Sequence, residues 1–165
     1  MSIIIKISII LFSFISLVSA EELNKIGKYK DWEVLVLKND TNKVCFAQSK
    51  PVLQSPKKNE RDARLFVSFR PSDNIKNEIS VTNGYEFKLK APVEAKSGKR
   101  TYDLFSKGKF AWVVDNEDEK KLIITMKKAS RLMIIGNSDK GDQTTDHYSM
   151  MGFTKAYNTA KKSCG

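Results

Sequence analysis

The chain has 165 residues, two cysteines and one histidine, and its 29 basic and 19 acidic side chains give a formal net charge of +10. This length supports one domain of ordinary size and excludes a multi-domain architecture. The positive charge favours association with anionic surfaces such as lipid headgroups, polysaccharide or acidic proteins, although a Lys-rich and Asn-rich composition explains it equally well. No nucleic-acid motif is present, so nucleic acid is not an expected partner.

Residues 1–20 are typical of a secretory signal peptide. They carry one basic residue, Lys6, followed by an apolar run and then small residues up to Ala20. The apolar run is shorter than the roughly 20 residues needed to cross a bilayer, so we expect no transmembrane anchor. Glu21 stands where a lipid-modified protein would have Cys. We therefore expect cleavage after Ala20 and a periplasmic or secreted domain over residues 21–165, in which the loss of Lys6 lowers the formal charge from +10 to +9.

The first half of this domain predicts short strands separated by polar turns. The segments "WEVLVL" (32–37) and "VCFAQS" (44–49) flank the turn-rich "KNDTNK" and predict a hairpin. A charged loop, "PVLQSPKKNERDA", leads to "RLFVSFR" (64–70). This last segment predicts a central strand that ends at Pro71, with Leu65, Val67 and Phe69 on one face and Phe66 on the other.

The stretch "NEISVTNGYEFKLK" contains Asn83 followed by Gly84, a pair that suggests a two-residue hairpin turn. Such a turn would place Val81 opposite Glu86 and would mix the two faces of the hairpin. A three-residue loop, or one bent strand with a bulge at Gly84, avoids this conflict. We expect one of these two forms, because either keeps five apolar residues on one side of the sheet: Ile79, Val81, Tyr85, Phe87 and Leu89.

The rest of the chain predicts further strands and two helices. "RTYDLF" and "KFAWVV" are two strands joined by the turn "SKGK", and "RLMIIGNS" is a strand buried on both faces. "NEDEKKLIITMKKAS" has a helical period, with Asn116 as N-cap and Glu119 three residues later. "TTDHYSM" is the last strand before a C-terminal helix. The predicted fold is a mainly β, antiparallel domain, sandwich-like or barrel-like, with two short helices.

The end of the chain predicts both a helix and a disulfide bond. An apolar stripe of helical period directs Cys164 towards the core and consists of Phe153, Ala156, Tyr157, Ala160 and Cys164. Cys45 and Cys164 permit only one intramolecular pair, and an exported chain enters an oxidising compartment. A metal site is the alternative, but two thiols and one histidine lack the ligand spacing that zinc requires. We therefore predict a bond between Cys45 and Cys164, and neither a metal nor a cofactor.

The stretch "TTDHYSMMGF" holds the single histidine, His147, close to Asp146 and Ser149, as in a hydrolytic site. On a strand, Asp146 and His147 point to opposite faces, so they cannot make the orienting contact of a catalytic triad. His147 and Ser149 share a face but lie about 7 Å apart along the strand. Ser149 is also not part of a G-x-S-x-G turn. We interpret His147 as a half-exposed structural residue and predict no catalytic residue.

Other residues have both a functional and a structural interpretation. The acidic run "DNEDE" (115–119) lacks the ligand alternation and the glycine of a calcium-binding loop, so we interpret it as a charged helix start. We interpret Trp32 and Trp112 as core aromatics rather than as sugar-stacking platforms. Two basic groups form either a surface patch or a solvated surface: Lys57, Lys58 and Arg61, and a second group that we name the basic set and keep as the candidate binding residues, namely Lys88, Lys90, Lys96, Lys99 and Arg100.

The order of the motifs resembles the invasion-associated locus B family of exported bacterial proteins. The resemblance covers residues 32–164, and its more specific runs are "RP…N…SV..GY.F" and "G…TTD.YS..GF". The full motifs are "DWEV", "KVCFAQSKP", "RPSDNIKNEISVTNGYEF", "LFSKGKFAWVVD", "LIITMKKASRLMIIGNSDKGDQTTDHYSMMGF" and "KKSC". Many relatives carry a further cysteine after the Trp-containing strand, whereas "DWEVLVLKND" has none. His147 stands where the family more often has Thr, which argues against a shared catalytic role.

The resemblance implies a small exported envelope protein without an accepted enzymatic reaction, from a family named for host-cell entry. We therefore expect a non-enzymatic protein that binds an anionic envelope or host-surface partner through its basic surface. The alternative is a small-ligand or polysaccharide-binding β-sandwich. A concave cleft lined by aromatic side chains would favour this alternative, and a flat basic or apolar face would favour a protein or membrane partner.

Overall fold

A computed structural model describes residues 22–39, 41–57 and 61–165. The predicted signal peptide, residues 1–20, lies outside the described residues. The described part of the chain contains two α-helices, α1 (Asn116–Lys128) and α2 (Phe153–Cys164), and a short 3-10 helix (Pro71–Asp73). Its strands are β1 (Glu22–Tyr29), β2 (Trp32–Lys38), β3 (Lys43–Ser49), β4 (Leu53–Ser55), β5 (Arg64–Arg70), β6 (Ile75–Thr82), β7 (Val93–Ser97), β8 (Arg100–Lys107), β9 (Phe110–Val113), β10 (Arg131–Asn137) and β11 (Gln143–Ser149).

The strands belong to one antiparallel sheet with the order β1-β2-β3-β5-β6-β9-β8-β7-β10-β11-β4. The sheet does not close on itself, so β1 and β4 are its edges within the described residues. The predicted mainly β fold with two helices, the second C-terminal, is confirmed, and the open sheet fits its sandwich-like form. The predicted hairpins β2–β3 and β8–β9 and the central position of β5 are also confirmed.

The hydrophobic core lies on the inner face of the sheet, which the helices cover. Along β5, Leu65, Val67 and Phe69 point into this core, as predicted, and Phe66 points the other way. Helix α2 packs against β1, β2, β3 and β5 and buries its apolar stripe there. Full burial of a large apolar side chain contributes roughly 1.5–3 kcal/mol, and Phe153 is such a residue in this interface.

Trp32 is a core residue, as predicted, and it joins three elements. Its side chain is fully buried at the start of β2. The indole Nε1 donates a hydrogen bond of 2.9 Å to the backbone oxygen of Ser149, at the end of β11. Its ring lies 4.8 Å from that of Phe153, the first residue of α2. Trp32 therefore connects two distant strands and the C-terminal helix through one side chain.

The segment after β6 leaves the sheet, so the predicted bulge or three-residue loop at Gly84 is wrong. β6 ends at Thr82, and beyond it Phe87 makes only an isolated bridge. Ile79, Val81 and Phe87 are buried in the core and Tyr85 packs against it, as expected, whereas Leu89 is 82% exposed. Gly84 has a φ of +78°, and a Cβ atom there would lie 2.9 Å from the backbone nitrogen of Asp62. The glycine therefore allows a sharp turn that packs closely against the loop at Asp62. Asp62 is remote in sequence, so the local pattern could not indicate this packing.

The N-cap of α1 is Asp115 and not Asn116 as predicted. The Asp115 carboxylate accepts hydrogen bonds from the backbone N–H groups of Glu117 (2.8 Å) and Asp118 (2.9 Å). Asp115 has an extended backbone, which is the conformation that an N-cap residue requires. The interpretation of residues 115–119 as a charged helix start is confirmed, because the acidic side chains lie in the first turn, near the positive end of the helix dipole.

Strand β10 is buried on one face only, which corrects the prediction of two buried faces. Leu132 and Ile134 are fully buried, whereas Met133 and Ile135 on the other face are half-buried. Three short or polar strands, β1, β4 and β7, were not predicted. β4 lies within the predicted charged loop and pairs with β11. The formation of these strands depends on pairing with neighbouring strands, because the apolar alternation in their own sequences is too weak to predict them.

Cys45 in β3 and Cys164 at the end of α2 form the predicted disulfide bond, and their Cα atoms are 5.8 Å apart. Cys45 is fully buried, and Cys164 packs against the core. The two residues are separated by 119 positions in the sequence. A bond that closes such a long loop strongly restricts the unfolded chain, which in the chain-entropy model contributes roughly 4 to 5 kcal/mol.

We expect the native protein to contain no reactive thiol, and the double variant Cys45→Ala/Cys164→Ala to lose about 4 to 5 kcal/mol of unfolding free energy. Thiol labelling with and without prior reduction, followed by intact-mass measurement, tests the bond. Urea unfolding of the variant tests its energy. Two labelled thiols in the unreduced native protein would contradict the bond, and an unchanged unfolding free energy would contradict its stabilising role.

Candidate functional site

A row of outward-facing side chains crosses the outer face of the sheet, opposite helix α2. Five neighbouring strands each contribute one directly paired residue to this row: Gln48, Phe66, Ser80, Trp112 and Phe105. Neighbouring strands lie about 4.8 Å apart, so the row is about 19 Å long. We name the surface around it the aromatic groove, and it consists of Phe46, Phe66, Phe105, Phe110 and Trp112 with Ser68 and Ser80 between them.

Aromatic rings follow one another along the groove in the order Phe46, Phe66, Phe110, Trp112 and Phe105. Neighbouring ring centroids are 5.5 to 6.5 Å apart, and the rings of Phe105 and Trp112 are stacked. Phe105 is 51% exposed and Phe110 is 41% exposed. Trp112 is half-buried on this outer face and is not part of the core, so its interpretation as a core aromatic is wrong.

Two serines form the floor of the groove. Ser80 lies between Phe66 and Trp112 in the row, and Ser68 lies beside Phe46. The groove as a whole has a volume of about 1130 Å³, and the short serine side chains leave its floor open between the larger residues. Their hydroxyl groups can donate and accept hydrogen bonds. The groove therefore combines apolar ring faces with a polar floor, which is typical of a ligand site.

Basic side chains surround the groove. Arg70 donates two hydrogen bonds of 2.8 Å to the Glu78 carboxylate, and these bonds raise the pKa of Arg70. The lining contains four basic and two acidic side chains in total. Three of the basic ones form no ion pair with another described residue, namely Lys76, Lys107 and Lys120. This surface therefore attracts anionic groups.

Glu119 of α1 closes one end of the groove and replaces a missing strand contact. β6 and β9 pair at two positions only, of which Ser80 is one. At the next position of β6, the backbone N–H of Ile79 donates to the Glu119 carboxylate at 2.8 Å. Burial raises the pKa of Glu119, the hydrogen bond from Ile79 opposes this shift, and the charge of Glu78 adds to it. The carboxylate thus satisfies a buried donor at an electrostatic cost.

The basic set is spread along the sheet. Lys88 lies near the end of β10, where its backbone N–H donates to the oxygen of Asn137 at 2.9 Å, and Lys90 follows in the same loop. Lys96 in β7 lies opposite Met133 of β10, four residues before Asn137. Four residues of strand span about 13 Å, so Lys88 and Lys96 occupy different parts of the surface.

The remaining members of the basic set, Lys99 and Arg100, lie beyond Lys96, where β7 turns into β8. Two members already have partners: Lys96 pairs with Glu94 at 2.8 Å, and Arg100 donates to the hydroxyl of Thr125 at 3.0 Å. The geometry therefore does not join the five side chains into one compact patch. Their role in binding stays a prediction.

Strand β11 places Asp146 and His147 on opposite faces, as predicted. Asp146 is fully buried, whereas His147 is half-buried on the outer face between Met133 and Leu53. The Nδ1 atom of His147 has no hydrogen-bond partner among the described residues. The hydroxyl of Ser149 accepts a bond from a nearby backbone N–H group. The Asp–His contact of a triad is therefore missing from this segment.

Asp146 forms a buried ion pair with Arg61, which the sequence did not reveal. The guanidinium donates to the two carboxylate oxygens at 2.6 and 3.0 Å, and the side chains are 8% and 0% exposed for Arg61 and Asp146. Burial raises the pKa of the Asp146 carboxyl, and Arg61 opposes this shift. The grouping of Arg61 with surface lysines is therefore corrected. Of those lysines, Lys57 is exposed in the turn after β4, and Lys58 lies outside the described residues.

The ion pair belongs to a polar network inside the fold. Arg61 also donates to the backbone oxygen of Asn83 at 2.8 Å, and the Gln54 side chain bonds to both backbone polar groups of Arg61. The Asn83 amide and the Tyr85 hydroxyl both contact the Thr144 hydroxyl. These bonds join β4, β11 and the loops beside β5 and β6. The network thus has a clear structural role.

The groove offers aromatic ring faces, hydroxyl groups and cations. These groups suit a ligand that stacks on the rings and carries negative charge. No group of three or more His, Cys, Asp or Glu side chains within the described residues is placed to hold a metal ion. Neither described helix is long and apolar enough to cross a membrane. The best-formed candidate site is therefore the aromatic groove.

We expect Arg61→Met or Asp146→Asn alone to lower the unfolding free energy by about 3 to 5 kcal/mol, because each leaves a buried polar or charged group without its partner. The double variant Arg61→Met/Asp146→Leu removes both charges and should lose much less than the sum of two single losses. Urea unfolding of all variants measures these energies. Strictly additive losses would show that the two side chains do not interact energetically.

We expect Glu119→Gln to become more stable relative to the wild type as the pH rises. Burial raises the pKa of Glu119 above its usual value of 4.5, so the folded protein binds this proton more tightly than the unfolded chain. The wild type therefore loses stability as the pH rises from below 4.5 through the raised pKa. Glutamine keeps an oxygen for the Ile79 N–H but carries no charge. Unfolding curves from acidic to neutral pH test this, and a constant difference between the two proteins would contradict it.

Comparisons of the chain with protein-family models, with curated proteins and with solved structures give no match. The resemblance to the invasion-associated locus B family therefore rests on the sequence motifs alone. Function has to be inferred from the geometry and chemistry of the aromatic groove.

Proposed function

We propose that the chain is an exported, non-enzymatic binding protein of the invasion-associated locus B family, which holds an anionic envelope or host-surface component in the aromatic groove. One observation carries this proposal: five aromatic rings follow one another over a serine floor on an open face of the sheet, which the start of α1 borders. Basic side chains line the same groove.

The exposure of the rings supports a binding role. Proteins rarely leave large contiguous apolar patches in contact with water unless these bind a partner. Phe105 and Phe110 are each more than two-fifths exposed, and they flank the half-buried Trp112. Burial of these rings by a ligand would recover roughly 25 cal/mol for each Å² removed from water. The groove therefore favours a ligand-binding module over a flat basic docking face.

The disulfide bond supports export. Such bonds persist in oxidising compartments and are rare in the cytosol. The bond between Cys45 and Cys164 joins β3 to the last helix, so it is part of the architecture rather than a surface feature. Together with the leader-like residues 1–20, it supports a periplasmic or secreted location.

The surroundings of the histidine argue against a catalytic triad on β11. Asp146 is engaged by Arg61 inside the fold, and His147 lies on the other face. No carboxylate is therefore available on this strand to orient the imidazole as a triad requires. The aromatic groove itself contains no histidine or cysteine.

We expect ligand capture at the groove and not at the basic set. A photo-reactive benzophenone side chain introduced in place of Phe110 should form abundant adducts with cell-envelope material, because this position is 41% exposed within the groove. The matched control places the same group at Leu89, which is 82% exposed between Lys88 and Lys90. Mass spectrometry and glycan staining of the adducts compare the two positions.

The control position decides between the two candidate surfaces. Adducts that form at residue 110 and persist in a His147→Ala background would support the groove. Equal or stronger labelling at residue 89 would overturn the groove and favour the basic set as the binding surface. The further variant in which all five residues of the basic set become Gln should then lose this labelling, because its cations would no longer attract the partner.

A further inference from the structure

A second cleft adjoins the aromatic groove on the outer face of the sheet. It lies where β1, β2, β3 and β5 meet and has a volume of about 310 Å³. Its charged lining consists of four basic side chains, Lys28, Lys30, Lys50 and Arg64, and two acidic ones, Asp31 and Glu33. We name it the cationic cleft.

The strand register makes the groove and the cleft continuous. Gln48 lines the cationic cleft and lies directly opposite Phe66, which belongs to the aromatic groove. On its other side, Gln48 lies opposite Glu33 of β2. Arg64 precedes Phe66 by two residues on the same face of β5, which places their backbones about 7 Å apart. One extended ligand can therefore contact both.

Three of the four cations of the cleft are available to a ligand, whereas Arg64 pairs with Asp62 at 3.0 Å. Lys28, Lys30 and Lys50 form no ion pair with any residue that the structure describes. Glu33 is already paired with Lys25, outside the cleft lining, and this contact lowers its pKa. One of the two carboxylates that could compensate the cations of the cleft is thus partly neutralised by a lysine outside it. The cleft therefore presents an excess of positive charge to anionic groups.

The groove fits sugar rings better than acyl chains. One face of a pyranose ring carries C–H bonds, and this flat apolar face packs against an aromatic ring such as those of Phe105 and Trp112. The ring edges carry hydroxyl groups, for which Ser68 and Ser80 provide hydrogen-bond partners in the floor. An acyl chain would leave these hydroxyl groups desolvated without partners, which is unfavourable.

Nucleic acid combines stacking and negative charge as well, but the disulfide bond favours a different partner. An oxidising compartment outside the cytosol contains polysaccharide in abundance, whereas nucleic acid is not its usual constituent. We propose that the ligand is an acidic polysaccharide chain, whose sugar rings stack in the aromatic groove while its carboxylate or other anionic groups bind in the adjoining cationic cleft. This inference rests on the proposed function and names the ligand class.

Isothermal titration with oligomers of galacturonic acid tests the inference, with the dimer, tetramer and octamer as probes. The octamer is long enough to occupy both parts, so it should bind the wild type much more tightly than the dimer. The variant Lys28→Gln/Lys30→Gln/Lys50→Gln should weaken octamer binding by about tenfold or more and should flatten its salt dependence. Dimer binding in the groove should change little.

A matched variant removes three lysines elsewhere. Lys128→Gln/Lys140→Gln/Lys162→Gln loses the same net charge at exposed positions that do not line the cleft, and octamer affinity should stay within about twofold of the wild type. Trp112→Ala should weaken both the dimer and the octamer, because it removes a stacking ring. Circular dichroism and thermal unfolding confirm that each variant is folded.

Several results would overturn the inference. Equal loss of octamer affinity in the two lysine variants would show that binding depends on the net charge of the protein alone. The cationic cleft would then not be a binding site. Equally tight binding of a neutral cellulose oligomer would remove the acidic requirement, and tighter binding of single-stranded oligothymidine would make the ligand a nucleic acid. If no sugar binds while crosslinking at residue 110 persists, the proposed groove function stands and the ligand class is wrong.

Discussion

The two-residue period of a β-strand is the constraint on which the rest of this structure depends. Successive side chains point to opposite faces, so each strand that sends Val, Leu or Ile residues to the core presents another set outward. Both helices cover the inner face, where α2 packs against four strands. Within the described residues, the outer face of β3, β5, β6, β9 and β8 therefore stays open, and only the start of α1 borders it. It is there that Phe66, Trp112 and Phe105 come into register as a binding surface.

Three long-range links keep this sheet in one arrangement. The disulfide bond fastens α2 to β3 near the C-terminus, and the Trp32 indole fastens β2 to the end of β11. At the other side, the Arg61–Asp146 ion pair joins the loop before β5 to β11. All three links lie on the inner side of the sheet. The inner face thus carries these long-range contacts, and the outer face carries the aromatic and basic residues of the groove.

Local sequence patterns were informative wherever a property depends on neighbouring residues. Alternation identified β2, β3, β5 and the β8–β9 hairpin, and the helical stripe from Phe153 to Cys164 indicated both α2 and the inward direction of the thiol. Opposite faces for Asp146 and His147 followed from the same period. Where the signal was weak, as in β1, β4 and β7, the strands were missed, because pairing with a neighbour rather than their own residues holds them in place.

The sequence by itself determined a mainly β domain, its longer strands and helices, and the pairing of its two cysteines, because these depend on residue period and on a count that allows one pairing. Only the tertiary structure decided that Trp112 faces outward into a groove, that Arg61 is buried against Asp146, and that the basic set is spread along the sheet. Each of these depends on which strands lie side by side. That order includes neighbours far apart in sequence, such as β7 with β10 and β4 with β11, whose pairing results from packing of the whole chain and not from any local pattern.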